Sequence, residues 1–423
     1  MQPTIIDSVR IFDGESTTGH GSVEFADGVI TRVTTGPAPG PPASAQVVDG
    51  TGMTLLPGLI DAHTHVFGVP DNLRLALAFG VTTELDMFMG PPEATRALCD
   101  LARDRDDLAD MRSAGLLASA QGGYPGNAIP TLPTVAGPEE ADAFVAARQA
   151  EGAHFIKIMV DDGANHGPAL PALGPATVTA LVDAARRRGL LTVAHACALW
   201  SAQLALDSGV DFLTHLPLEA ALDQAFADRA AAGGRAVIPT LAMLEVSTSH
   251  ESPGTGVARS LAGDPRIAAF LPDDVRDAIA TGCEGLCVEH PLPEHHFEYA
   301  LSSVARLHRA GVPLLAGTDA NQMPQHACPI VHGAGLHAEL ALLVAAGLSP
   351  AQALAAATSV PAAHFGLDDR GLIAPGRRAD LLLVSGDPTT DITATRSIEA
   401  IWRGGVRFDR EAHRAHTASP AAP

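Results

Sequence analysis

His63-Thr64-His65 closes the apolar run LLPGLIDAHTH. Side chains on an extended strand alternate faces, so residues two apart point the same way. Two neutral imidazoles aimed together from one strand end can ligate a cation such as zinc. An isolated H-x-H is a weak signal, because two polar residues at a strand end need no metal. Further singletons strengthen it: His195 ends LLTVAHA, His215 ends DFLTHL, and Asp319 ends VPLLAGTDA. Metal-competent side chains that terminate four separate apolar strands predict one shared metal site.

Lys157 sharpens that expectation. It lies inside HFIKIMV, where alternation places Phe155, Lys157 and Met159 on one face. A bare ammonium there must be desolvated, and it would repel a nearby cation. Two outcomes fit this position. The amine pairs with a carboxylate, or it reacts while neutral with carbon dioxide. The second route gives a carbamate, an anionic two-oxygen group able to bridge two metal ions.

The elements that must position these residues alternate along the chain. Eight short apolar runs are separated by Ala-rich helical patterns: LLPGLIDAHTH, VTTELDM, SAGLLASA, HFIKIMV, LLTVAHA, DFLTHL, AVIPTLAM and VPLLAGTDA. This order predicts an α/β chain folded as a (β/α)8 TIM barrel, with the polar strand ends gathered at the C-terminal mouth. The interval 243–300 is long, contains Pro and Gly, and is expected to cap that mouth, in the manner of a lid. Residues 4–12 and 22–33 alternate apolar and polar, as do ADLLLVSGD and IEAIWRGGVRF near the other end. Both chain ends are therefore expected to build a small β module. The polar, Pro/Ala-rich end REAHRAHTASPAAP is expected to be loosely ordered.

Composition narrows the function classes. The chain has 423 residues, 46% of them apolar and 18% charged, which is ordinary for a folded protein. Its formal net charge of −21 argues against nucleic acid and anionic membranes as partners. No run approaches the roughly 18 apolar residues that span a bilayer. The start MQPTIIDSVR lacks a basic stretch followed by an apolar core, so no secretory signal is expected. Five scattered cysteines are too few for a disulfide framework, and a reducing cytoplasm is the expected setting. Cys283 and Cys287 have a C-x-x-x-C spacing, read here as unrelated thiols because no second pair accompanies them.

PGLIDAHTH, FIKIMVDDG, AHA, THL and AGTD, in this order and spacing, resemble the amidohydrolase superfamily, and within it the imidazolonepropionase-like and prolidase-like (Xaa-Pro dipeptidase-related) branch. FADGVITRV, LHAELALLVAAGLSPAQALAAATSVPAAHFGL and GLIAPGRRADLLLVSGDP are similar as well, so the resemblance runs from about Ile5 to Phe408. It implies a metal-dependent hydrolase that cleaves an amide-type C–N bond with a metal-bridging hydroxide. The substrate would be a dipeptide, an N-acyl amino acid or a small or cyclic amide. By the same resemblance His63, His65 and Asp319 would hold one divalent ion and His195 and His215 a second; nitrogen and oxygen donors with a carbamate fit zinc and tolerate manganese or cobalt. Lys157, as N6-carboxylysine, would bridge the two ions. Asp319 would act as the catalytic base, and His215 would help stabilise the oxyanion. The β segments 1–57 and 371–410 would form the family's composite β-sandwich around a barrel at 58–370, leaving 411–423 as a flexible tail. Family members also tend to form homo-oligomers.

Two departures from the family pattern bear on the substrate. Prolidase-like members usually carry Tyr two residues after the fifth-strand histidine, where this chain has Cys197. They tend to have Gly-Gly-His after the third strand, where this chain reads Gly122-Gly123-Tyr124. Tyr124, Cys197 and Asn321 are the expected substrate contacts. His337 is expected to support the metal ligands, and His295 and His296 to lie on the surface or in a lid. Two alternatives remain: a mononuclear deaminase or amidine hydrolase, and a non-catalytic binding protein on the same fold. Deaminase-type members usually lack the bridging lysine, and non-catalytic relatives generally lose ligands that survive here.

Overall fold

The computed structural model describes residues 2–36, 44–165, 167–248, 256–281, 295–322 and 330–417. Near the start, β1 (Thr4–Phe12), β2 (Thr17–Ala26) and β3 (Val29–Thr35) form an antiparallel meander. β4 (Gln46–Asp49) and β5 (Met53–Pro57) run parallel to β1. The expected single strand over 22–33 is divided at Asp27-Gly28, whose φ angles of 49° and 82° suit the two-residue turn of a hairpin.

The next strands carry the site. β6 (Leu59–Thr64), β7 (Val81–Asp86) and β8 (Asp110–Ser113) form one parallel sheet, and the short β9 (Ser119–Ala120) and β10 (Thr134–Val135) form another. β11 (Ile156–Met159), β12 (Thr192–His195), β13 (Phe212–Thr214) and β14 (Ala236–Ile238) form a third, also parallel. Nearly every residue of these strands is buried, which explains why they read as continuous apolar runs rather than alternating ones. Helices Pro70–Ala78, Pro92–Asp104, Ala141–Ala150, Pro175–Arg187, Leu199–Asp207 and Gln224–Ala232 separate them. The arrangement is a TIM-barrel-type α/β fold.

Its hydrogen bonding is less regular than the sequence suggests. The strands fall into separate sheets, linked by single parallel bridges from Thr64 to Ala320, Ala118 to Ile158 and Val237 to Leu314. The third expected strand, over 113–120, instead pairs at Asp110–Ser113 and breaks beyond it, where Gly115 turns to a φ of 65°. The eighth, VPLLAGTDA, forms no regular strand and pairs only in isolated bridges at Leu314 and Ala320, with further backbone hydrogen bonds to β6 and β14, and Asp319 has a φ of 62°.

Within 243–300 the described residues form short helices, among them Val257–Ser260, Pro265–Ala268 and Asp273–Thr281, followed by Phe297–Arg309. Cys283 and Cys287 lie outside the described residues. β15 (Leu381–Ser385), β16 (Ile398–Arg403) and β17 (Val406–Arg407) complete the terminal sheet, in the order β17-β16-β15-β5-β1-β2-β3, so both chain ends contribute to it. The expected loose tail begins instead as a helix, Arg410–Thr417. The Arg410 guanidinium lies 3.7 Å from the centre of the Phe270 ring, and the buried His413 reaches the Phe270 carbonyl at 3.3 Å. No helix among the described residues is long and apolar enough to cross a membrane.

Candidate metal centre

The structure gathers the strand-end residues into one cavity. His63 Nε2 and His65 Nε2 lie 3.1 and 3.0 Å from a single oxygen, Asp319 Oδ1. Beside them, the ring centres of His63 and His215 are 4.8 Å apart, and those of His195 and His215 are 4.5 Å apart. Two donor groups result, His63/His65/Asp319 and His195/Cys197/His215, with the ligand atoms inside each all within 4.8 Å of one another. Lys157 Nζ reaches into the same space, 3.3 Å from His63 Nε2, and donates to Thr214 Oγ1 at 3.3 Å.

Local packing makes this convergence possible. A Cβ on Gly317 would sit 2.5 Å from Ile238 Cγ2 and 2.9 Å from His63 Cβ, so only glycine lets the eighth segment approach β6 this closely. Asp61 locks the two together by accepting from Thr318 N at 3.0 Å and Thr318 Oγ1 at 2.7 Å. His215, Thr240 and Asp319 all have left-handed backbones, with φ of 71°, 49° and 62°. Such strain costs roughly 1–3 kcal/mol per residue and persists where a site demands it. Two of the three are candidate ligands, and Thr240 Oγ1 is 2.8 Å from His215 Nδ1, which leaves Nε2 of that ring for a cation.

The electrostatics suit a cation. Burial, with Lys157 adding to it, brings His63 down to about 3. Burial and the neighbouring His195 likewise hold His215 well below its ordinary value. Both imidazoles are thus neutral near pH 7, as ligands must be. Burial alone would raise Asp319, but its close contacts with His63 and His65 hold it well below the usual carboxylate range. Burial brings Lys157 down to about 7, although Asp319 and other acids oppose the fall. Among the described residues no carboxylate makes an ion pair with Lys157, so the paired ammonium expected as one outcome is not observed.

Other predicted residues fall in different places. Cys197, expected to touch substrate, is buried with its Sγ 3.3 Å from His195 Nε2, inside the donor group. The Tyr124 backbone carbonyl accepts from Ser119 Oγ at 2.8 Å, and its side chain packs with Met159 and Leu117 at the end of β11. Asn321 is half-buried, two residues beyond Asp319. His337, expected to support the ligands, bonds instead to the Phe79 carbonyl and to Thr395 Oγ1, both at 3.0 Å. Its helix, Ala334–Ala345, turns that ring away from the cavity and toward neighbouring segments. His295, expected at the surface, is buried.

Two supporting groups were not foreseen. Asp161 Oδ2 lies 2.9 Å from His195 Nε2, and its other oxygen accepts from Gly163 N at 2.7 Å. The VDDG stretch after Lys157 was the available signal. Glu84 holds His332 Nδ1 at 2.9 Å with both partners fully buried, a pairing between distant segments that no local pattern reveals.

Known proteins resemble the chain in sequence and in fold. The model of the amidohydrolase family matches residues 54–407. An imidazolonepropionase of Deinococcus deserti is 26% identical, the alignment covering 90% of each chain. Among solved structures, a Xaa-Pro dipeptidase with bound methionine superposes with a TM-score of 0.72 at 23% identity, covering 96% of this chain and 100% of that one. A molinate hydrolase superposes with a TM-score of 0.76 at 20% identity, covering 100% of this chain and 96% of that one.

Proposed function

We propose that this chain, which belongs to the amidohydrolase family, uses a two-cation centre to hydrolyse an amide bond in a small, uncharged or singly charged molecule. It is a hydrolase acting on carbon–nitrogen bonds. The observation that carries the finer reading is the pair of donor groups, His63/His65/Asp319 and His195/Cys197/His215, sharing one cavity with a buried, unpaired lysine. His63, His65 and Asp319 would hold one ion, and His195 and His215 the other. Both ions are best read as zinc, given nitrogen and oxygen donors. Lys157, as the neutral amine, would add to carbon dioxide with loss of one proton, and as N6-carboxylysine would supply an anionic oxygen ligand to this centre.

When bound, the two ions would supply an acidified water and polarise the scissile carbonyl. The remaining work falls to the chain's own side chains. Asp319, held ionised by its histidines, takes the proton as water oxygen joins the acyl carbon. It returns that proton to the nitrogen as the C–N bond breaks. The oxyanion role expected of His215 does not fit that ligation, since Thr240 and the cation would occupy its two ring nitrogens. Tyr124, on a loop against Met159, and Asn321, beyond Asp319, are read as substrate contacts. The net charge of −21 disfavours polyanionic substrates. The terminal sheet drawn from both chain ends is read as the family's composite β-sandwich, spanning 1–57 and 371–410, with the barrel at 58–370.

The test is turnover by the zinc-loaded chain across dipeptides, N-acyl amino acids and cyclic amides. Chelation should abolish it and added zinc restore it. Turnover confined to exocyclic amines, with no amide cleaved, would favour the deaminase alternative.

A further inference from the structure

His195 Nε2 has two close neighbours. Asp161 Oδ2 is 2.9 Å away and Cys197 Sγ is 3.3 Å away. This is not the geometry of a nucleophilic Cys–His–Asp relay. That relay needs thiol and carboxylate on opposite ring nitrogens, and here both bear on Nε2.

The arrangement suits a cation, because sulfur, imidazole and carboxylate are all electron-pair donors. Cys197 is only 3% exposed, and it joins His195 and His215 in a group whose donor atoms lie within 4.8 Å of one another. Zinc bonds of about 2.3 Å to sulfur and about 2.0–2.1 Å to nitrogen put tetrahedral S and N ligands about 3.5 Å apart. The observed 3.3 Å separation is close to that edge.

We propose that Cys197, as its thiolate, is a ligand of the second ion alongside His195 and His215, with Asp161 facing the same ring nitrogen of His195. On binding, the S–H bond breaks, a sulfur–metal bond forms, and the proton leaves to solvent. A soft donor in this position biases the second site toward zinc or cadmium and against manganese. The inference rests on the two-ion reading above and adds a ligand to it.

The test is zinc content together with zinc-edge X-ray absorption on the full-length, zinc-loaded protein. The expected result is two zinc ions per chain and a sulfur shell at about 2.3 Å amounting to one sulfur per two zincs. Two zincs with only nitrogen and oxygen neighbours would overturn the Cys197 assignment and leave the proposed function standing. One zinc with a sulfur shell would keep the thiolate and overturn the two-ion reading. Less than one zinc overturns both. A variant with Cys99, Cys283, Cys287 and Cys328 all changed to Ser should keep the sulfur shell, and its loss there would contradict the assignment. Cys197→Ser should lose the shell entirely, and its survival would contradict the assignment equally.

Discussion

Lys157 Nζ and His63 Nε2 face each other at 3.3 Å in a cavity where no described carboxylate pairs with the amine. Two nitrogens in this relation tolerate little positive charge, and burial has already brought the lysine down to about 7. The position therefore favours a neutral, reactive amine over an ammonium. Lys157→Ala should lose most amide hydrolysis and retain less than two equivalents of metal. Bicarbonate with a short-chain carboxylic acid should restore part of the rate. Unchanged activity would refute the bridging role.

Asp319 is shared by two histidines and is the candidate for moving the proton. Asp319→Asn keeps the shape and removes the charge. The turnover number should fall by about 10²–10⁴-fold, the usual contribution of a positioned acid–base group. A fall confined to KM would assign Asp319 to substrate binding instead.

Asp110 meets Arg370 and Arg378 where the barrel strand β8 adjoins the C-terminal segment, with Arg370 and Asp110 almost fully buried. Burial alone would raise this carboxyl, but Arg370, Arg378 and Arg403 together hold it below the usual range. Asp110→Asn removes the carboxylate these guanidiniums share, while Asp369 and Asp380 remain as partners, and should cost about 1–3 kcal/mol in urea unfolding. A loss below about 1 kcal/mol would mean that water reaches the cluster.

Burial pushes Glu339 up to about 8, although the Ala242 and Leu241 amides oppose the rise. The unfolded group titrates near about 4.3, so between these values the folded chain holds a proton that the unfolded chain has released. Its contribution to stability is complete below about pH 4.3 and is lost as pH rises through about 8, at no more than about 1.4 kcal/mol per pH unit. The wild-type melting temperature should therefore fall faster across this window than that of Glu339→Gln. Parallel curves for the two proteins would contradict the assignment.

The candidate site was legible in the sequence because its residues end apolar strands. His63, His65, His195, His215 and Asp319 each stand where a buried run meets the mouth, and strand direction alone brings such ends together. Lys157 was legible because a charge inside an apolar strand has no innocent reason to be there. Asp161 and the Glu84–His332 pair were not, since each depends on contacts set by the fold rather than by spacing. His337 misled for the complementary reason: its place beside the eighth strand suggested the cavity, but its helix turns the ring toward Phe79 and Thr395. The end of the chain misled by composition. REAHRAHT is polar, yet Arg410 and His413 find Phe270 and hold a helix in place.

Anomalous scattering from crystals of the protein, purified with zinc and bicarbonate, tests the central claim most directly. The account predicts two zinc peaks per chain, one among His63, His65 and Asp319 and one between His195 and His215, with a carboxylate appended to Lys157 and touching both. A single peak beside an unmodified Lys157, or no peak in that cavity, would contradict it.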